Sequence, residues 1–311
     1  MDIRQIRSFV AVVDHKSFTL AATRVGIAQP AISMQISSLE KEYKTKLLIR
    51  GPRGVIPTDA GRTLYKHGRL ILRQIEEARI DIATGYSVTG LVAVGMPTTV
   101  ATPLAVPLIK RVAERYPGIR LHIVETLSGH LNELLATDRL NCAILFRSAE
   151  QKSLEFEPLA IEYLYFIGGS LEGMDNSEPD CAVQALSAVP ITLPSIAHDL
   201  RTTVKHAFIA AGASLNVVAD IDSPRVALSL AADHFAGTIL PLSALTSAQH
   251  AEFRGVFTRR LVKPEVTRTI GLCRRTSSIL SDASLAIETS IKEVMADLVS
   301  SGHWNGIDLV P

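Results

Sequence analysis

The sequence predicts an α/β protein with a helical head: a winged helix-turn-helix over residues 1–58 is followed by a two-lobed α/β body. Three observations lead to this prediction. Apolar residues recur at helical spacing over residues 3–43, strand and helix patterns alternate from Gly90 onward, and positive charge gathers at the start of the chain. Residues 1–60 contain nine Lys and Arg against five Asp and Glu, a net charge of +4, whereas the whole chain carries +1 and the remainder therefore −3. This asymmetry indicates a head that meets a polyanion and a body that serves another ligand.

The composition limits the class of protein. A chain of 311 residues with 47% hydrophobic and 20% charged residues is long enough for two or three globular domains. We expect a soluble, cytoplasmic protein, because no export signal and no apolar run of roughly 18 residues is present. The three cysteines, Cys142, Cys181 and Cys273, are too far apart to predict a disulfide framework or a zinc site. We therefore expect neither a metal nor a cofactor.

The head opens with three predicted helices. The first ends near Asp14, and its apolar residues are Ile3, Ile6, Phe9, Val10 and Val13. Thr19 is the predicted N-cap of a short second helix that stops at Gly26. Pro30 suits the first residue of a third helix, which runs to about Tyr43, because its ring presets the helical backbone and the missing donor costs nothing there.

The third helix has two distinct faces. Its apolar stripe, expected to face the core, consists of Ile32, Ile36, Leu39 and Tyr43. The opposite face carries short and mostly polar side chains: Pro30, Ser33, Met34, Ser37 and Lys41. Such a face fits a helix that enters the major groove of DNA, and it fits equally an ordinary helical hairpin with one solvated face.

The segment after the third helix favours the DNA-binding interpretation. Residues 47–50 and 55–56 read as two short strands around the turn Gly51-Pro52-Arg53-Gly54. A basic hairpin beside such a helix is typical of a wing, and Arg50 and Arg53 are predicted to contact phosphates or the minor groove.

Several spaced motifs of this head are similar to a known family. The run Ser17-Phe18-Thr19-Leu20-Ala21-Ala22, the segment Gln29-Pro30-Ala31-Ile32-Ser33 and the stretch from Leu47 to Gly61 together resemble the LysR-type transcriptional regulators. Within that family, residues 53–61 resemble the nitrogen-assimilation-control type. Met34 departs from the pattern, since many members carry arginine or glutamine there, although methionine is able to touch a thymine methyl group. The predicted DNA-binding residues are Thr19, Gln29, Pro30, Ser33, Met34, Ser37, Lys41, Arg50 and Arg53.

A long linker helix is predicted over residues 59–83, within a linker and hinge segment of residues 59–89. Thr58 is its expected cap, and its apolar stripe at spacings of four and three is Leu64, Gly68, Ile71, Ile75, Ala78 and Ile82. This stripe predicts a coiled-coil seam that pairs two heads, while the alternative is a helix packed on its own domain. The family resemblance implies a dimer, and commonly a homotetramer, acting on double-stranded DNA.

The body is predicted as two lobes with parallel sheets, residues 90–162 plus 268–302 and residues 163–267. The predicted strands are residues 91–96, 119–125, 142–146, 164–168, 191–193, 217–221, 237–240 and 267–274, and the predicted helices are residues 99–115, 129–137, 199–211, 224–235 and 280–300. Two crossings between the lobes predict a hinge. The resemblance implies a periplasmic-binding-protein-like effector domain with a ligand between the lobes.

The candidate effector residues follow strand ends, where helix starts offer free amides. They are Thr98, Thr99, Ser128, Phe146, Arg147, Ser195 and His198. Each hydroxyl has a plain alternative as a helix cap, and Arg201 fits either the same cleft or the surface of its helix. Because these donors suit an acceptor-rich ligand, we predict a small carboxylate or inorganic oxyanion, with Arg147 as its counter-charge.

Three other classes of protein fit the sequence less well. An enzyme is disfavoured because the common nucleophile, nucleotide and zinc motifs are missing from the sequence. A transport protein would need an export signal and no DNA-binding head, and an architectural DNA-binding protein would not need the α/β body. The predicted function is a DNA-binding transcriptional regulator that responds to an effector and has RNA polymerase as a further partner. The alternative is an effector-independent regulator controlled by its abundance.

Overall fold

The chain forms two compact units, residues 1–87 and 88–311. The structure, a computed structural model, describes residues 1–51, 54–84, 88–146, 154–169, 178–196, 198–245, 256–276 and 280–310, without the side chains of 73, 74 and 76–84. Within these ranges, no helix combines the length and the hydropathy that crossing a membrane requires.

The first unit has the predicted helices and wing. Its elements are α1 (Ile3–His15), α2 (Phe18–Val25), α3 (Gln29–Glu42), β1 (Leu48–Gly51), β2 (Gly54–Pro57) and α4 (Asp59–Thr84). Strands β1 and β2 form an antiparallel ladder, which is the predicted wing. The buried core of this unit joins the inner faces of all three short helices to the wing through Phe9, Val12, Phe18, Ala21, Ala22, Ile32, Ile36, Leu39, Leu47, Leu48 and Val55.

The start of α2 differs from the prediction. Ser17, and not Thr19, is the N-cap: its backbone is extended and its hydroxyl accepts a hydrogen bond from the Leu20 amide at 3.3 Å. Both residue types are good caps, and the one that lies where the chain leaves the α1 turn takes the role. Thr19 is therefore an exposed residue of the first turn. Gly26 ends α2 in a left-handed conformation with φ +78°, which glycine adopts readily because it has no Cβ.

The wing is attached to the head by two contacts. The Val55 amide donates to the Lys16 carbonyl at 3.0 Å. Gly54, with φ +100°, lies so close to the same carbonyl that an added Cβ would be 2.6 Å from its oxygen. This position therefore requires glycine for conformation and for space.

The first half of α4 packs on its own unit. A Cβ added to Gly68 would lie 3.0 Å and 3.1 Å from methyl groups of Ile6 and Val10, and Leu64 is half-buried against the core of this unit. The predicted seam is therefore wrong over this first half, because the side of the helix that faces α1 is already covered. Further along, Ile71 and Ile75 are half-buried. The side chains of Ala78 and Ile82 lie outside the described residues.

The second unit contains two six-stranded sheets. Its elements are β3 (Gly90–Met96), α5 (Thr98–Arg115), β4 (Ile119–Glu125), α6 (Ser128–Ala136), β5 (Cys142–Phe146), β6 (Leu154–Tyr163), β7 (Tyr165–Gly168), β8 (Asp180–Ala182), β9 (Pro190–Leu193), α7 (Asp199–Ala210), β10 (Asn216–Asp220), α8 (Pro224–Ala232), β11 (Gly237–Leu240), β12 (Phe257–Val262), β13 (Thr267–Arg275), α9 (Asp282–Ser300) and β14 (Ile307–Leu309). Their strand orders are β14-β6-β13-β5-β3-β4 and β10-β9-β11-β7-β12-β8.

Both sheets are mixed, which corrects the prediction of parallel sheets. In the first sheet β3 pairs in parallel with β4 and β5, but β13 pairs antiparallel with β5 and β6. In the second, β7 runs antiparallel between β11 and β12. The chain crosses between the lobes from β6 to β7 and from β12 to β13. These crossing strands take part in the antiparallel pairs of the two sheets. Of these, β6 and β12 were missed by the sequence analysis, as were the short edge strands β8 and β14.

The two crossings predicted for the hinge lie side by side. Leu164 joins β6 to β7, and its amide donates to the Val266 carbonyl of the second crossing at 2.9 Å. The C-terminal segment, which sequence patterns did not place, also lies here: β14 pairs with β6, and Trp304 is 2% exposed in the core of the first sheet. The tail therefore belongs to the first lobe.

Candidate functional site

The face of α3 opposite its buried stripe is open to solvent. Ile32, Ile36 and Leu39 are buried, as predicted, and Tyr43 lies exposed just past the helix. On the other side, Gln29, Pro30, Ser37 and Lys41 are exposed and Ser33 is half-buried. Met34 is 71% exposed, an apolar side chain in the middle of this polar surface.

Glu40 of α3 holds the start of the wing against this helix through hydrogen bonds. Its carboxylate accepts the Leu47 amide at 3.0 Å and the Leu48 amide at 3.3 Å, and it pairs with Lys46 at 2.8 Å. Partial burial opposes ionisation, but these hydrogen bonds outweigh it and lower the pKa of Glu40. The exposed Arg50 guanidinium lies 4.2 Å from the centroid of the Phe18 ring, which orients it without neutralising it. Arg53 lies outside the described residues.

A narrow cleft lies between the two lobes of the second unit, with about 30 Å³ of room for the centres of water-sized groups. It brings together four of the predicted effector residues, Thr98, Thr99, Phe146 and His198. The predicted Ser128 and Ser195 follow the lining residues Leu127 and Pro194 in sequence but do not line the cleft themselves. Arg147 lies outside the described residues.

Arg268, a residue that sequence reasoning missed, forms part of the cleft wall. Its guanidinium lies 3.3 Å from the centroid of the Phe146 ring, pairs with the Glu162 carboxylate at 2.6 Å and donates to the Thr99 hydroxyl at 3.2 Å. Arg268 is 7% and Glu162 1% exposed. Burial lowers the pKa of Arg268, although the Glu162 charge works in the other direction. Arg268 therefore lies in the cleft wall as one half of an ion pair with Glu162.

The helices that start at the cleft differ between the lobes. In the first lobe, α5 and α6 begin after Pro97 and Leu127, and neither has a side-chain cap. In the second lobe, the side chains of His198 and Ser223 cap α7 and α8. The first-turn amides of α5 and α6 are thus open to an acceptor from a ligand. At the start of α6, the Ser128 hydroxyl is buried, at 4% residue exposure, and has no hydrogen-bond partner in the described part of the chain.

Two titratable groups of the second lobe, His198 and Asp222, line the cleft, and Asp199 adjoins His198 in the chain. Burial, and next the Arg268 charge, lower the pKa of His198, which favours neutral imidazole. Burial raises the pKa of Asp199. Asp222 is exposed and accepts the Ser195 amide at 2.8 Å, and this bond together with a side-chain bond from Ser195 lowers its pKa.

The strand-end rule that selected the effector candidates could also have found Asp222, since this residue directly follows the strand predicted over residues 217–221. Arg268 and Glu162 gave a weaker signal. Arg268 is a charge within the strand predicted over residues 267–274, Glu162 lies in β6, which was not predicted, and only the fold brings them together. The Arg201 guanidinium is engaged within the protein and does not face a ligand, because it donates to the Pro194 carbonyl at 3.1 Å and to the Asp220 carboxylate at 2.9 Å. Among the described residues, no group of three or more His, Cys, Asp or Glu is arranged to hold a metal ion.

Comparisons with known proteins agree with this architecture. The family described as "Bacterial regulatory helix-turn-helix protein, lysR family" matches residues 3–62, and the "LysR substrate binding domain" matches residues 86–296. The chain is 32% identical over 302 residues to the nitrogen assimilation regulatory protein nac of Klebsiella aerogenes, covering 96% of each protein, and 31% identical to nac of Escherichia coli over 97% of this chain and 96% of that one. The predicted likeness to the nitrogen-assimilation-control type is thereby confirmed.

Solved structures show the same fold. Full-length OxyR C199D from Pseudomonas aeruginosa superposes with a TM-score of 0.72 at 22% identity, covering 96% of this chain and 94% of that one. Full-length CbnR in complex with its target DNA has a TM-score of 0.63 at 21% identity, covering 96% and 99%. The chain belongs to the LysR family, whose members are DNA-binding transcriptional regulators with a helix-turn-helix head and an effector-binding domain.

Proposed function

We propose that two copies of the head read a two-fold-related operator, with α3 in the major groove and the wing on the phosphate backbone. The open polar face of α3, opposite its buried stripe, supports this docking. Thr19, Gln29, Pro30, Ser33, Met34, Ser37 and Lys41 would contact the DNA together with Arg50 and Arg53. The active form is a homodimer or homotetramer in the cytoplasm, with RNA polymerase as a further partner and with no enzymatic activity.

The pairing of heads is assigned to the second half of the linker helix. Ile71 and Ile75 follow Gly68, the position at which α4 contacts α1, and they are half-buried within this chain. Replacing both by glutamate should dissociate the dimer, because like charges would then face each other across the seam. Sedimentation of the double variant tests this, and Arg62→Ala, on the first half of α4, is the control. A double variant that stays dimeric would move the interface elsewhere.

We propose further that a small carboxylate or inorganic oxyanion binds in the cleft and changes how the paired heads sit on DNA. The observation that carries this proposal is the pair of uncapped helix starts at the first-lobe side of the cleft. Thr99 adds a donor: its oxygen accepts from Arg268, so its own hydrogen remains available to a ligand. Ser128 and Ser195 would complete the site after a small closure of the lobes, with Arg147 as counter-charge. Binding shifts the equilibrium only if it favours one lobe arrangement over another.

Calorimetry against anionic, neutral and cationic metabolites tests the ligand class, and an electrophoretic mobility shift with the same panel tests the response on DNA. An anion should bind wild type and bind Thr99→Val and Arg147→Ala more weakly. His206→Ala, on the surface of α7, is the control. A cationic ligand, or an anion bound equally by all variants, would contradict the proposal. A silent panel with intact DNA binding would favour the second candidate, a regulator without effector that is controlled by its abundance.

A further inference from the structure

The charges that the described residues bring to the cleft bear on which kind of carboxylate it binds. The titratable groups among its described lining residues are His198, Asp222 and Arg268. Arg268 is paired with the buried Glu162, so the positive charge that it offers a ligand is largely offset within the wall. His198 is uncharged near neutral pH, since burial and Arg268 lower its pKa.

Among the described residues that line the cleft, Asp222 is the charge without an ion-pair partner. Its carboxylate is exposed at the cleft and holds the Ser195 amide with one oxygen at 2.8 Å. The arginines on either side are otherwise engaged, Arg201 with Asp220 and Arg268 with Glu162. A carboxylate with two oxygens accepts several hydrogen bonds, and the Ser195 loop does not use all of them.

The two sides of the cleft are therefore chemically different. The first-lobe side presents donors, namely the first-turn amides of α5 and α6 without side-chain caps. The second-lobe side presents capped helix starts and the Asp222 carboxylate. A ligand that spans this gap meets donors at one end and an anionic acceptor at the other.

We infer that the effector is a small zwitterion, an amino acid or a similar ammonium carboxylate, whose carboxylate faces the starts of α5 and α6 and whose ammonium group binds Asp222. This inference rests on the proposed effector function and names its ligand class. Asp222 is then the residue that sets specificity: it attracts the ammonium group and repels a second carboxylate at that end. A dicarboxylate without an amine would place like charges together.

The test uses matched pairs that differ only in the amine: L-alanine and propionate, L-aspartate and succinate, L-glutamate and glutarate. Calorimetry on the full chain should show that the bound amino acid has an affinity on the order of tenfold higher than its deaminated partner. In Asp222→Asn this ratio should fall to about one, because the amide keeps the acceptor for Ser195 and loses the charge. Asp233→Asn, which removes an exposed carboxylate just past the far end of α8, should leave the ratio unchanged.

The outcomes separate the two claims. If a deaminated acid binds wild type as tightly as its amino acid, or more tightly, the inference is overturned while the carboxylate site stands. If Asp222→Asn keeps the wild-type ratio, Asp222 does not set specificity and the inference fails as well. If no member of any pair binds wild type at millimolar concentration, the inference is overturned, and the wider panel with inorganic oxyanions decides the proposed effector function separately. The wild-type ratio is independent of how well the variants fold.

Discussion

The head and the effector cleft handle positive charge in opposite ways. In the head, Arg50 is exposed and lies against a neutral ring, so its charge reaches the solvent undiminished. In the cleft, Arg268 lies against the Phe146 ring too, but it is buried and paired with Glu162. A stacked arginine therefore has no carboxylate partner among the described residues in one region, and is half of a neutral pair in the other.

The difference follows from the two ligands. A polyanion is long and solvated, and it gains by releasing counterions wherever an exposed cation meets a phosphate. A small molecule enclosed between lobes meets groups that have lost their water, where an unpaired buried charge would destabilise the fold. Exposed charge provides general attraction, whereas buried pairs provide a wall of fixed shape and little net charge.

The largest effect should come from breaking the buried pair. Glu162→Ala leaves Arg268 uncompensated in the wall and should lower the free energy of unfolding by about 3–5 kcal/mol. Glu293→Ala removes a carboxylate that pairs with Arg111 and Arg115 at the surface, and should cost about 1 kcal/mol or less. Urea denaturation of both variants measures the contrast.

Replacing both partners sharpens the same contrast. Glu162→Met with Arg268→Met should restore much of the lost stability, because two apolar side chains need no partner. Equal losses for the Glu162 and Glu293 variants would show that the wall is hydrated and that the two regions do not differ as described.

The next effect concerns the exposed arginine. Arg50→Ala should weaken binding to specific and random DNA alike, and reduce the slope of log K against log salt by about 1 or less, since one phosphate contact is lost. Fluorescence anisotropy at several salt concentrations measures this slope. Arg120→Ala removes an equal charge from an exposed strand of the body and should leave it unchanged. If the slope of log K against log salt in Arg50→Ala equals that of wild type, Arg50 of the wing does not contact a phosphate.

The smallest effect concerns the apolar side chain in the polar face of α3. Met34 should contact a thymine methyl group, so replacing that thymine by uracil in a selected operator should weaken binding about fourfold or less. Met34→Ala should lose this sensitivity while still binding DNA, and Ser38→Ala, at an exposed neighbouring position, should keep it. If wild type does not distinguish thymine from uracil at any position, Met34 does not read that methyl group.

Local patterns determined much of the fold. The bounds of β4, β5 and β11 agree with the prediction to the residue. β5 and β11 are buried apolar runs with clear ends, whereas β4 is an edge strand in which apolar and polar residues mostly alternate. The helix-turn-helix and the wing were also predicted, from the spacing of apolar residues and from the positions of proline and glycine. Thr98, Thr99, Phe146 and His198 were found at the cleft because they follow strand ends or start helices, which is a rule about position along the chain.

What only the tertiary structure decided was pairing. Arg268 and Glu162 are 106 residues apart, and no local pattern states that each compensates the other. The same holds for β14, whose three residues form a strand only because they pair with the open edge of β6. It also holds for Gly68, whose spacing predicts a seam position although α1 packs against it. Sequence periodicity specifies which face of an element is apolar. The partner that covers that face, or neutralises a charge on it, is set by contacts between residues distant in the chain.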